Sequence, residues 1–91
     1  MRIGVRYMAQ LKLAAGAAAE QVELPPAATV ADLVAHLAGR GDGTLRKLLL
    51  DADGRPHPTI LTFVGDAQAD PQRTALRDGD VVTLLSPIAG G

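Results

Sequence analysis

Apolar and polar residues alternate from the start of the chain. In RIGVRY, Ile3, Val5 and Tyr7 fall on one side and Arg2, Gly4 and Arg6 on the other, the period of a half-buried β-strand. EQVEL repeats the pattern with Val22 and Leu24 inward and stops at Pro25-Pro26, which cannot continue a ladder. Between them AQLKLAAGAAA reads as a short helical turn or loop broken at Gly16. The two strands predict an opening hairpin with a long connection.

The period then changes to that of a helix. In TVADLVAHLAGRG, Val30, Leu33, Val34, Leu37 and Ala38 make one continuous apolar face. Thr29 is a suitable N-cap, Asp32 three residues later completes a capping-box-like pair, and Gly39 and Gly41 end the helix. TLRKLLLDADG predicts a shorter helix with Leu45, Leu48 and Leu49 inward, stopped at Gly54. TILTFVG reads as a third strand, DAQA as a short fourth, LRDGD as a turn and VVTLL as the last strand. The unbroken apolar run of VVTLL is what a central strand shows. This order predicts an α+β domain, a mixed sheet of four to five strands with the main helix packed on one face and a short second helix. We assign residues 1–86 to this domain and residues 87–91 to a flexible C-terminal tail.

Composition narrows the function classes. Ninety-one residues with 47% hydrophobic and 21% charged content suit one globular domain and argue against disorder. The formal net charge of −1, with one Tyr, one Phe and no Trp, supplies neither the basic patch nor the stacking platform that nucleic acids require. No cysteine is present, so disulfides, thiolate metal sites and a cysteine nucleophile are excluded. The alternating N-terminus is neither a signal peptide nor a membrane span, and a cytoplasmic protein is the expectation.

The candidate motifs for internal chemistry are weak. His36 faces outward from its helix with no partner at i+4, and His57 sits between two prolines; both read as solvated histidines. DADG at Asp51 to Gly54 lacks the downstream oxygens and closing Glu of a calcium loop, so it reads as a turn. GRGDG lacks the Gly-Lys-Ser/Thr of a phosphate loop, and its Arg-Gly-Asp has no secretion signal behind it. Asp78 and Asp80 flank Gly79 as in a type I′ or bulged turn. No nucleophile–base pair emerges and no bound cofactor or metal is expected.

That leaves the end, SPIAGG. Pro87 stops ladder pairing, Ile88 is an isolated apolar anchor, and Ala89, Gly90 and Gly91 have almost no side-chain volume. Five residues extend over at most roughly 17 Å. Such a thread fits a narrow channel, with an α-carboxylate at its tip.

The terminal DGDVVTLLSPIAGG, the early YMAQL and the TVADLVAHL helix resemble the ubiquitin-like sulfur carriers of the MoaD/ThiS type, with the order of elements matching along essentially the whole chain. The resemblance implies a β-grasp fold in which the last strand lies centrally and parallel to the first. It implies a carrier or small non-catalytic subunit, not an enzyme. A MoeB/ThiF-like adenylating enzyme, using ATP, would adenylate the Gly91 carboxylate. A sulfur donor would then displace AMP to leave a thiocarboxylate. Gly90 and Gly91 would let the carbonyl approach closely, without a Cβ in the way. By the same carry-over Met8 belongs to the partner-binding face, and Pro87, Ile88 and Ala89 to the tail seated in the partner channel. The acceptor would be an enzyme such as a molybdopterin synthase large subunit or a cysteine synthase homologue, with neither nucleic acid nor membrane involved.

Departures from the family pattern keep the pathway open. Thiamin-type carriers are shorter and lack the helical segment at Leu45 to Leu50. Molybdopterin-type carriers often have aromatics where this chain has Leu84 and Leu85. LLLDADGRPHP before a strand resembles carriers serving cysteine or other thio-metabolite synthesis. Gly65-Asp66 stands where the family more often has Asn-Gly. The rival reading is a ubiquitin-like modifier conjugated through Gly91 to target lysines; with only Lys12 and Lys47 here, self-chains would have few sites.

Overall fold

The structure, a computed structural model, describes residues 1–86. Its elements run β1 (Arg2–Met8), α1 (Gln10–Ala15), β2 (Ala19–Glu23), α2 (Val30–Ala38), α3 (Thr44–Leu49), β3 (Leu61–Val64), β4 (Ala67–Gln68) and β5 (Val81–Leu85). The strands form a single mixed sheet in the order β2-β1-β5-β3-β4. Strand β5 runs parallel to β1 and antiparallel to β3, so the last strand is central, flanked on both sides. This is the β-grasp arrangement. Strand β4 is only two residues long, which keeps that edge short.

One face of the sheet is covered. Ile3, Val5, Tyr7, Val82 and Leu84 from the central strands join Leu11, Val30, Leu33, Val34, Leu37, Leu45 and Leu49 from the helices in one core. Full burial of side chains this size stabilises by about 1.5–3 kcal/mol each before entropy is counted. Helix α2 begins as the sequence predicts. The Thr29 hydroxyl accepts the Asp32 N–H at 3.2 Å and the Asp32 carboxylate accepts the Thr29 N–H at 2.8 Å, a complete capping box.

Several expectations need correcting. VVTLL is the central strand, as expected, but only Val82 and Leu84 are buried, while Val81 is exposed and Thr83 and Leu85 are half-buried. The helices cover one face only, so a central strand still alternates. The second short helix ends at Leu49, well before Gly54. Leu50 turns extended and bridges to Pro56, and it is buried there, whereas Leu48 is only partly covered. The segment at Gln10–Ala15 is a true helix capped at Gly16 in the left-handed conformation, so there are three helices among the described residues. Of the two turns expected before β5, type I′ is excluded, since Gly79 alone takes positive φ, at 88°, and Asp78 does not, whereas type I′ needs both central residues there.

Candidate functional site

Because successive strand residues point to opposite faces, β1 and β5 present a second surface that no helix covers. On β1 it carries Arg2, Gly4, Arg6 and Met8, and on β5 Val81, Thr83 and Leu85. The register pairs Gly4 with Val81, Arg6 with Thr83 and Met8 with Leu85. On the far side, β3 sets Leu61 against Leu85 and Phe63 against Thr83. Met8, Leu85 and Leu61 therefore form an apolar row across three strands, with Met8 keeping 43% of its surface exposed. The family resemblance singled out Met8. It missed Leu61, Phe63 and Leu85, whose place beside Met8 exists only once the strands are paired.

The parallel pairing of β1 with β5 has a second consequence. Met8 ends β1 at the position where Leu85 ends β5, so the two strands finish side by side. Pro87, Ile88, Ala89, Gly90 and Gly91, the remaining predicted site residues, lie outside the described residues. Immediately after Met8 the backbone turns sharply: Ala9 has φ 53° and ψ −127°, a conformation that costs a residue bearing a Cβ about 1–3 kcal/mol. Lys12 N–H then bonds the Ala9 carbonyl at 3.1 Å as α1 begins.

Behind the open face, a polar network braces β1. The Tyr7 hydroxyl donates to Glu20 Oε2 at 2.6 Å, and Arg40 Nη2 donates to both Glu20 oxygens at 2.7 Å. Strand β1, strand β2 and the segment after α2 are thus tied through one carboxylate. Burial pushes the Tyr7 hydroxyl well above the ordinary tyrosine range, reinforced by its hydrogen bond to Glu20 and by that residue's charge. Burial also works to raise Glu20, but the hydrogen bonds from Tyr7 and Arg40 and the Arg40 charge outweigh it, and its pKa is lowered. No sequence spacing signals this triad, whose members lie 13 and 20 positions apart.

The other motifs resolve into local structure. In Arg-Gly-Asp, Arg40 is held by Glu20 and Asp42 Oδ1 accepts the Thr44 N–H at 2.9 Å, so both side chains are engaged within the chain. In DADG, Asp51 Oδ1 accepts the N–H groups of Asp53 and Arg55, a turn as expected. His36 is exposed. His57 Nδ1 accepts the Thr59 N–H at 3.2 Å and lies 2.7 Å from its hydroxyl. Among the described residues no group of three or more His, Cys, Asp or Glu could hold a metal, and no helix is long and apolar enough to cross a membrane.

Comparison with known proteins identifies the family. The ThiS family model matches residues 5–91. The small archaeal modifier protein 3 of Haloferax volcanii is 30% identical, with 100% of each chain covered. The crystal structure of SAMP1 from Haloferax volcanii superposes with a TM-score of 0.87 at 25% identity, again over 100% of both chains. A putative molybdopterin converting factor subunit 1 from Pyrococcus furiosus gives a TM-score of 0.78 at 26% identity, covering 97% of this chain and 99% of that one. A family match over nearly the whole sequence, on a sheet whose last strand lies central and parallel to the first, makes this chain a member of the ThiS family, within the ubiquitin-like sulfur carriers and modifiers.

Proposed function

We propose that this protein is a sulfur carrier whose reactive group is the carboxylate of Gly91. The observation that carries the reading is the family match, which runs through Gly90-Gly91. A carboxylate is a poor acyl donor until one oxygen becomes a good leaving group. Attack of a Gly91 oxygen on the α-phosphorus of ATP, held by an adenylating enzyme, expels pyrophosphate and gives the acyl adenylate. A sulfide-level donor then attacks the carbonyl, the C–O bond to AMP breaks, and a thiocarboxylate remains. Glycine at both final positions leaves no Cβ between that carbonyl and the donors that stabilise the tetrahedral intermediate. The chain contributes presentation, and catalysis belongs to its partners. Met8, Pro87, Ile88 and Ala89 dock it, and the acceptor is a synthase such as a molybdopterin synthase large subunit or a cysteine synthase homologue. The Pyrococcus furiosus relative, named as a molybdopterin converting factor subunit, supports the first of these.

A second reading has its own support. The Haloferax volcanii relative matched over its full length is named a modifier. In that role the same adenylate passes to a lysine Nζ of a target protein, forming an amide.

Both readings are tested by ATP–pyrophosphate exchange with the organism's own adenylating enzyme. The wild-type chain supports exchange, and deletion of Gly90-Gly91, or a tag fused after Gly91, abolishes it. Exchange that survives the deletion would place the reactive end elsewhere.

A further inference from the structure

The open face carries a charge that its own surroundings do not answer. Of the two arginines on this side of β1, Arg2 is paired with Glu23 at 3.1 Å. Arg6 is exposed and makes no ion pair or side-chain hydrogen bond among the described residues. Its ladder neighbours are Ala19 on β2 and Thr83 on β5, and Gly4 and Met8 precede and follow it on the same face. Glu20, next to Ala19 on β2, points into the network with Tyr7 and Arg40.

Beside Arg6 lies a shallow depression of about 390 Å³ lined by Gly4, Val5, Ala19, Glu20, Gln21 and Val81, the Glu20 carboxylate being held by Tyr7 and Arg40. Its floor is open because residue 4 has no side chain; a Cβ there would come within 3.3 Å of Val81 Cγ2.

Met8 and Arg6 are two residues apart on one face, about 7 Å. A partner that covers the row of Met8, Leu85 and Leu61 therefore also covers Arg6. Removing a lone guanidinium from water against an apolar surface is costly unless an anion meets it. We propose that Arg6 and the notch over Gly4 receive an acidic side chain from the docking surface of the adenylating enzyme, and that this contact determines which such enzyme the chain fits. The inference rests on the proposed reading of Gly91, since it uses the same enzyme.

The test is the apparent KM for this chain in ATP–pyrophosphate exchange, measured at increasing salt. Arg6→Glu raises KM by about tenfold or more with kcat little changed, because a like charge then faces the partner's acid. Arg6→Gln raises KM less and flattens its salt dependence. Arg46→Glu, the same charge change on exposed α3, leaves KM within about twofold. Thermal melts of each variant exclude unfolding as the cause. Arg6→Glu matching wild type, or Arg46→Glu weakening binding equally, overturns the proposal. Wild-type protein that supports no exchange overturns the reading of Gly91, and the docking contact with it.

Discussion

On the inner face of the sheet Val5, Tyr7, Val82 and Leu84 lie against the helices with almost no exposed surface, whereas one residue along the same strands Met8 and Val81 each keep 43% of theirs. The backbone pairing is shared, so neither face can shift register without the other. Inner residues specify the fold, and outer residues are held in position by it without contributing much to its stability. The outer row of Met8, Leu85 and Leu61 is thus carried on strands whose other side is held in the core.

The comparison breaks most readily at the core. Leu33 is fully buried on α2, so Leu33→Ala should cost about 2–5 kcal/mol through lost transfer energy and the cavity left behind. In a denaturant titration that is a large part of the stability of a small domain. Met8→Asp on the outer face should change stability by no more than about 0.5 kcal/mol, yet weaken binding to the adenylating enzyme. Equal losses for the two variants would show that the faces are not distinct.

A smaller effect sharpens the inner side. Tyr7→Phe removes the hydroxyl that donates to Glu20 while Arg40 still holds both carboxylate oxygens. We expect a loss of about 1–2 kcal/mol by denaturant titration; a neutral change would mean that the triad does not brace β1.

Smaller again is the pH dependence of the same network. Glu20 has a lowered pKa in the fold, so its stabilising contribution is present above the ordinary glutamate range and is lost as pH falls through that range toward the folded value. The melting-temperature gap between wild type and Glu20→Gln should therefore be widest near neutrality and narrow as the solution is acidified. Tyr7 has the opposite sign. Its pKa is raised, so its contribution is complete below the ordinary tyrosine range and is lost as pH rises beyond it. A gap at Glu20 that stays constant through acid pH would contradict the assignment.

Local patterns in the sequence predicted what local physics decides. The alternation of Ile3, Val5 and Tyr7, the apolar face from Val30 to Ala38 and the Thr29–Asp32 cap all appear in the structure as read. What depended on distant pairing was hidden. Leu50 and Leu76 are buried outside regular elements, where no period marks them. The exposure of Val81 reflects an uncovered face, a fact of layer architecture that VVTLL does not contain. For the site, Met8 stood out through the family resemblance, while Leu61 and Leu85 became its neighbours only through β3 and β1 meeting on either side of β5. Arg40 and Glu20 were likewise joined by the fold, from opposite ends of a long excursion through α2.

The central claim is that this display exists to present Gly91 for sulfur transfer. The direct measurement is intact-protein and C-terminal-peptide mass after incubation with adenylating enzyme, ATP and a sulfide source. The account predicts one oxygen-to-sulfur exchange, confined to the peptide that ends in Gly91 and absent without ATP. Amide adducts between Gly91 and lysines of other proteins, with no thiocarboxylate under any sulfur source, would contradict it.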